Sequence, residues 1–293
     1  DGTKVLIGDT ILYNRLSGEG EVFGNMYLED TARKAILQGN YGFYNEKTEY
    51  GLATDSAFAI DYSQEESMYI HGDTLVMKSD STFRDIKAYY QVRFYRSDIQ
   101  GLCDSLHYSS RDSMVYLTGN PVLWNENNQI MGDRINLLLN DSTLEKAVIS
   151  DYAFAIQTRD ADGQYNQLSG KDMTASFRDG ELYHLLVEGN AQSLYYLQQK
   201  DSTIIGLNKT ESPYLSMDIE NNQIKRLKLW STTTAVTTPL PQLSAGEDRL
   251  EGFAWLDYLR PTGPDDIFRS NARRASEATE ERPRRFKRED ITL

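Results

Sequence analysis

Short apolar runs alternate with polar turns along most of the chain. The stretch from Asp112 to Asp141, DSMVYLTGNPVLWNENNQIMGDRINLLLND, reads as apolar run, Gly-Asn, apolar run, polar turn and apolar run. Short apolar runs bounded by Asn, Asp, Gly and Ser are typical of antiparallel strands joined by turns. The same pattern continues from Val5 to about Thr232 and predicts an all-β architecture of many hairpins.

A glycine followed by a small polar residue recurs between two apolar runs. The pairs are Gly-Asn at 24–25, 39–40, 119–120 and 189–190, and Gly-Asp at 8–9 and 72–73. A two-residue hairpin favours the reverse order, Asn-Gly. We therefore interpret each pair as a kink or bulge inside a continuing strand, with the glycine at positive φ. Such kinks allow a sheet to turn a corner and fold back over itself.

Composition narrows the classes of function. The 293 residues suffice for one large β domain or two ordinary ones, and the 19 tyrosines favour sheet. A net charge of −13 argues against nucleic-acid binding and against electrostatic adsorption to an anionic membrane. A single cysteine excludes an intramolecular disulfide.

The sequence offers weak support for enzymatic chemistry. Cys103 and His107 are four residues apart, but LCDSLHY reads as a strand, in which four residues span about 13 Å. We therefore predict a buried thiol and a strand histidine, not a nucleophile and its base. No catalytic residue, no metal site and no cofactor is predicted.

Several strands carry apolar residues on one face, and these residues are the candidate binding surface. A stack of such strands closes as an ordinary core or stays open as an apolar slot, and periodicity alone favours the closed core. The candidate lining residues are Met114, Tyr116, Val122, Trp124, Ile135, Leu137, Leu139 and Phe177.

These repeats resemble the OstA/LptA-like family of lipopolysaccharide-transport proteins, in its larger Bacteroidetes type. The likeness lies in LTGNPVLW, LQGNYGFY, IHGDTLVM and VEGNAQSL, and in the preceding GLATDSAFAID and GLCDSLHYS. It covers roughly residues 5–230. The resemblance implies an open antiparallel β-jelly-roll, or β-taco, that holds lipid A acyl chains between two sheets and assembles through exposed edge strands.

The resemblance also implies a role and a place. It indicates a non-enzymatic, periplasmic carrier or bridge segment, with its signal peptide removed, associated with the outer or inner membrane. The expected partners are lipopolysaccharide, other transport proteins of the same pathway and further copies of the chain, and not nucleic acid. The eight candidate lining residues then become candidate lipid-binding residues.

The chain divides into four predicted regions. Residues 1–231 form the jelly-roll, with a conceivable break into two stacked halves near 84–90. Residues 232–247 are rich in Thr and Pro and predict a linker, and 248–264 predict a short docking segment. Residues 265–293 are densely charged and predict a disordered tail.

Two other classes of function remain open at the level of sequence. The first is a carbohydrate-binding or adhesive β module on a bacterial surface, with tyrosines forming a platform for sugar stacking. The second is a β-helix polysaccharide hydrolase, which needs two facing carboxylates on adjacent rungs. The irregular spacing of the repeats makes the hydrolase the less favoured of the two.

Overall fold

Antiparallel strands make up most of the described chain. The structure is a computed structural model that describes residues 3–80, 83–140, 143–159, 163–199, 203–221 and 223–269. The strands are β1 (Lys4–Ile7), β2 (Thr10–Asn14), β3 (Glu19–Asp30), β4 (Ala35–Asn45), β5 (Tyr50–Thr54), β6 (Phe58–Asp61), β7 (Met68–His71), β8 (Thr74–Ser79), β9 (Arg84–Tyr95), β10 (Gln100–Ser109), β11 (Met114–Thr118), β12 (Val122–Asn125), β13 (Asn128–Met131), β14 (Arg134–Asn140), β15 (Thr143–Thr158), β16 (Tyr165–Arg178), β17 (Glu181–Gln198), β18 (Ile204–Glu220), β19 (Gln223–Trp230) and β20 (Thr234–Pro239).

The strands form two antiparallel leaves that share one corner. The long strands β3, β4, β9, β10 and β15 to β18 cross the corner, so that each contributes one half to each leaf. Leaf A contains β1, 26–30, 35–39, β6, β7, 92–95, 100–103, β12, β13, 153–158, 165–170, 191–198, 204–212 and β20, in stacking order. Leaf B contains β2, 19–23, 41–45, β5, β8, 84–89, 105–109, β11, β14, 143–150, 172–178, 181–188, 214–220 and β19.

This arrangement confirms the predicted all-β, open antiparallel stack. The leaves meet at the corner and face each other across an interleaf space, and the turns at their far ends form a lip. The stack is continuous through 84–90, because β9 pairs with β7, β8 and β10 across that range. The conceivable break into two halves at this position is therefore wrong.

The corner is built from pairs of consecutive residues with left-handed backbone. Gly24-Asn25 and Gly119-Asn120 have φ of +75/+48 and +77/+56 degrees. We call each passage of the chain through the corner a rung. Such pairs lie on every second rung, and they are Gly24-Asn25, Asp55-Ser56, Tyr90-Gln91, Gly119-Asn120, Asp151-Tyr152 and Gly189-Asn190. Two left-handed residues in succession reverse the local bend of a strand, and glycine and asparagine tolerate that backbone best. The kink prediction is thus confirmed for three of the six Gly-Asx pairs.

The remaining Gly-Asx pairs lie on the intervening rungs and act differently. Gly8, Gly39 and Gly72 do not have positive φ, so the prediction of left-handed glycine is wrong there. A Cβ on Gly39 would lie 2.8 Å from the carbonyl oxygen of Thr54, which shows that this glycine permits close approach of two backbones. The following Asx residue then donates its N–H to the next left-handed pair, as from Asn40 to the Asp55 carbonyl at 2.8 Å.

The chain beyond β19 lies along leaf A instead of leaving the body. The predicted linker 232–247 contains β20, which pairs with β18 and adds an edge strand to leaf A. Thr and Val favour strand geometry, and an unpaired β18 edge was available to them. The linker prediction is therefore wrong over Thr234–Pro239.

Residues 240–269 continue as a strap across the outer face of leaf A. The strap contains three short 3-10 helices, Leu240–Gln242, Asp257–Leu259 and Pro264–Phe268. Within it Leu250 and Ile267 are buried, although Ile267 falls in the predicted disordered tail. The boundary at 265 is therefore wrong by a few residues, and residues 270–293 of that predicted tail lie outside the described residues.

Candidate functional site

Apolar side chains from both leaves fill the interleaf space. On leaf B, Ile135 and Leu137 alternate with outward residues along β14, and both belong to the main core cluster. Leaf A faces them with residues such as Leu28, Leu123 and Leu168. Since these side chains are almost fully buried, the space holds a packed core over most of its length.

The candidate lining residues divide between the inner and outer faces. Ile135 and Leu137 lie inside, Phe177 packs against the same core, and Leu139 is half-buried after a bulge in β14. The other four are Met114, Tyr116, Val122 and Trp124. Their strand neighbours Val115, Leu117 and Leu123 contribute to the core, so these four face outwards. Alternation in the sequence predicted which of these residues share a face, but nothing in the sequence chose the inner face.

Polar links join the two leaves at the N-terminal part of the lip. Glu49 of leaf B accepts hydrogen bonds from Arg33 of leaf A at 2.7 Å and from Ser79 at 3.1 Å. Its other oxygen lies 3.5 Å from the Lys4 ammonium, which also donates to the Tyr44 hydroxyl at 2.9 Å. One rung further on, Arg84 of leaf B pairs with Asp61 of leaf A at 3.3 Å.

The C-terminal part of the lip has a different character. Among the described residues, no ion pair joins leaf A to leaf B beyond Arg84. Leaf B presents half-buried apolar side chains there, and Leu227 on the last strand is 48% exposed. The inward residues of this region are Phe177, Leu182, Met217 and Leu227. Leu227 is therefore accessible to solvent from this end of the interleaf space.

Each end of the stack presents two edge strands, each hydrogen-bonded to a single neighbour in the described part of the chain. Among the described residues β1 and β2 pair only with β3, and β19 and β20 pair only with β18. All five residues of β2 are exposed, and so are most residues of β19 and β20. An exposed edge is a template for pairing with another strand.

The two ends also differ in charge. At the C-terminal end β19 carries Lys225, Arg226 and Lys228, all exposed. At the N-terminal end an open groove of about 420 Å³ is lined by Ile11, Leu12, Tyr13, Asn14, Glu19, Glu21 and Phe43. Two of these cations have acidic neighbours on β18, with Lys225 3.6 Å from Glu220 and Arg226 3.7 Å from Asp218. The side chains of β19 itself are nevertheless opposite in charge to the acidic groove.

Buried polar side chains on the outer face of leaf A hold the strap. Gln167 and Gln129 donate at 2.7 Å to the backbone carbonyls of Asp248 and Ala254. Further along, Gln100 accepts from Arg260 at 2.7 Å, and Arg93 donates to the Leu259 carbonyl at 3.0 Å. This row of polar side chains was not predicted from the sequence. Glutamine at outward strand positions was its only signal.

The structure gives the cysteine and histidine no catalytic arrangement. Cys103 points into the core, where burial raises the pKa of its thiol to about 12. His107 lies on the outer face of leaf B and stacks on Tyr116. The described residues contain no group of three side chains suited to a metal ion. They also contain no helix long and apolar enough to cross a membrane.

Comparisons with known proteins give matches among solved structures. No protein-family model and no curated protein matches the chain. Among solved structures, the chain is similar to LptH from Pseudomonas aeruginosa, the LptA homologous periplasmic component of the lipopolysaccharide transport device. The match has 11% identity and a TM-score of 0.35, and it covers 40% of this chain and 82% of that one.

Proposed function

We propose that the protein is a non-enzymatic, periplasmic bridge segment of lipopolysaccharide transport to the outer membrane. It assembles end to end through its edge strands and carries acyl chains between its leaves. The observation that carries the proposal is the presence, at each end of a two-leaved stack, of two edge strands that pair on one side alone among the described residues. The resemblance of the repeated motifs names lipopolysaccharide as the candidate cargo.

Strand direction supports head-to-tail assembly. In leaf B, β19 runs from the lip to the corner, whereas β2 runs from the corner to the lip. In leaf A, β20 runs from the corner to the lip and β1 runs the opposite way. The last rung of one copy therefore meets the first rung of the next in antiparallel order in both leaves. Such an interface is heterologous, and repetition extends it into a filament.

Charge supports the same pairing. Docking of β19 on β2 brings Arg226 and Lys228 towards Glu19 and Glu21, which lie one strand in from the edge. Opposite charges across an interface fix its register and speed association, and their contribution falls with salt.

Hydrophobic burial supplies the affinity for acyl chains. Each buried methylene contributes about 0.8 kcal/mol, so ten of them contribute about 8 kcal/mol without any specific polar contact. The half-buried apolar residues at the C-terminal lip, among them Phe177 and Leu182, are where a chain enters with least disturbance of the core. The anionic sugar-phosphate head group stays outside the acidic body, in solvent or beside Lys and Arg.

Sedimentation at increasing protein concentration tests the assembly. We expect wild type to form elongated species that shrink at high salt, and the double variant Arg226→Glu/Lys228→Glu to remain monomeric. A second protein carrying Glu19→Lys/Glu21→Lys should restore association when mixed with that variant. Lys146→Glu, on the exposed face of β15, is the matched control and should assemble normally. Unchanged assembly of the double variant would contradict the charge-paired interface.

Photo-crosslinking in cells tests the cargo. A photoreactive residue at Leu227 or Phe177 should capture lipopolysaccharide, and the same residue at Tyr116, on the outer face of leaf B, should not. Absence of adducts at both inner positions, in a protein that still assembles, would remove the lipid role. Specific glycan binding by that protein would then favour the carbohydrate-binding alternative.

A further inference from the structure

Lys4, Arg33 and Glu49 form a charged cluster that ties the first strands of leaf A to the first turns of leaf B. Each side chain is between 24 and 31% exposed, so the cluster is only partly open to solvent. Besides its ion pair with Lys4, Glu49 accepts hydrogen bonds from Arg33 and from Ser79. A carboxylate shared among three donors holds several segments in one geometry.

Leaf A holds Arg33 in place for this contact. The Asp30 side chain accepts from the Arg33 guanidinium at 2.7 Å and from the Arg33 backbone N–H at 3.0 Å. Burial alone would raise the pKa of Asp30, but these bonds from Arg33 outweigh it and lower the pKa below its usual value. Asp30 therefore stays ionised at neutral pH and presents Arg33 to the other leaf.

The cluster lies directly over the apolar interior. Beneath it is a void of about 10 Å³, at the lower limit of what holds one water molecule. Leu28 of leaf A and Met77 of leaf B line this void together with Lys4 and Glu49. Separation of the ion pairs would therefore open the interleaf space at this point.

We propose that Lys4, Arg33 and Glu49 are a latch that keeps the leaves closed at the N-terminal end. Ion pairs link the leaves at this end, whereas no described pair does so beyond Arg84. Hydrocarbon admitted at the C-terminal lip can advance past the first rungs only when the latch parts. This regulation of the interleaf space rests on the proposed function.

Thiol labelling tests the latch without any lipid. Met77→Cys, in a Cys103→Ala background, places the only thiol beneath the latch. Glu49→Gln removes both ion pairs at nearly constant size. It should raise the alkylation rate of that thiol about fivefold, the factor expected for a partly exposed pair. Arg33→Gln is a second variant with the same expected direction, in case the first fails to fold.

Asp151→Asn is the matched control. It breaks the Arg134–Asp151 pair at the corner, which does not tie the lips together, and should leave labelling unchanged. Unchanged labelling in Glu49→Gln and Arg33→Gln would overturn the latch, whatever lipid does. Equal acceleration by Asp151→Asn would also overturn it, because the effect would then be general loosening.

Binding of a fluorescent fatty acid and of purified lipopolysaccharide is measured on the same variants. Faster labelling with about fivefold faster lipid uptake supports both proposals. Faster labelling without any lipid binding, in the variants and in wild type, keeps the latch as a conformational device and removes the lipid role. The two proposals therefore fail in different measurements.

Discussion

The side chain of Gln129 binds the backbone of Leu256 at 2.7 Å, although 127 residues separate them in sequence. The same amide donates at 2.7 Å to the Ala254 carbonyl and accepts at 3.1 Å from the Trp124 indole. Gln129 is fully buried, so all of these bonds form away from water. Side chains of leaf A thus attach the strap by hydrogen bonds to its main-chain atoms.

Replacement of Gln129 should loosen the strap. Gln129→Ala leaves the Leu256 N–H, the Ala254 carbonyl and the Trp124 N–H without this partner, and each buried unsatisfied group costs about 1–3 kcal/mol. We expect a loss of about 3–5 kcal/mol in the free energy of unfolding. Hydrogen exchange should show faster exchange at Leu256. Gln223→Ala, on exposed β19, is the control and should change neither quantity. Normal protection of Leu256 in Gln129→Ala would contradict the role given to this amide.

A glycine at the corner should be harder to replace than one in an open turn. Gly119 and Gly180 both have positive φ, of +77 and +82 degrees. A Cβ on Gly119 would lie 2.3 Å from the Asp104 Cβ, whereas a Cβ on Gly180 meets no atom within 4 Å. Left-handed backbone costs an alanine about 1–2 kcal/mol, and overpacking adds about 1–3 kcal/mol.

Urea unfolding of the two variants checks this expectation. Gly180→Ala should lose about 1 kcal/mol and Gly119→Ala about 3 kcal/mol. Equal losses would mean that backbone conformation alone determines the effect and that the corner tolerates the added methyl group.

The corner shows how far the sequence predicts this fold. Gly24-Asn25, Gly119-Asn120 and Gly189-Asn190 could be recognised because glycine and asparagine favour left-handed backbone. Tyr90-Gln91 and Asp151-Tyr152 adopt the same backbone without that composition. The stack imposes it, since the rungs on both sides already turn there. Tertiary context overrides local preference at these two pairs of residues.

The sequence predicts which candidate residues share a face of a strand, but not which face points towards the other leaf. Alternation along β12 separates Leu123 from Trp124, but which one faces the other leaf depends on what covers the outer face. Here the strap covers it. The part of the strap that contacts Gln129, beside Trp124, lies within 248–264, for which the sequence predicted a short docking segment but not where on the body it docks. A buried tryptophan at an outward position follows from that long-range contact alone.

Replacement of Tyr152 should increase the stability of the protein. It has a φ of +58 degrees and is 81% exposed, so its backbone is strained while its ring is largely in solvent. Asparagine tolerates this conformation better. Tyr152→Asn should therefore raise the free energy of unfolding by about 0.5–1 kcal/mol. Thermal unfolding measures the change, and Tyr183→Asn, on a β17 residue with ordinary backbone, should show no gain.

Protonation of His71 at low pH should destabilise the packing of the end of the strap on leaf A. Burial lowers the pKa of its imidazole and the nearby Arg93 adds to that effect, while a hydrogen bond to the Ala57 carbonyl and the charge of Asp73 oppose it. The ring also lies 5.0 Å from that of Phe268 in the strap. Protonation therefore places a second positive charge beside Arg93 under the strap.

The sign of the pH effect follows from the lowered pKa. The unfolded chain, with a histidine pKa of about 6.5, binds the proton more readily than the folded protein. His71 therefore contributes full stability above about pH 6.5, and this contribution is lost as the pH falls below that value towards the folded pKa. Urea unfolding at pH 7.5 and pH 5.0 should show a larger loss for wild type than for His71→Gln. His107 and His184 are present in both proteins, so the difference between the two losses isolates His71. Equal losses would mean that protonation of His71 costs the folded state nothing and that the strap tolerates the added charge.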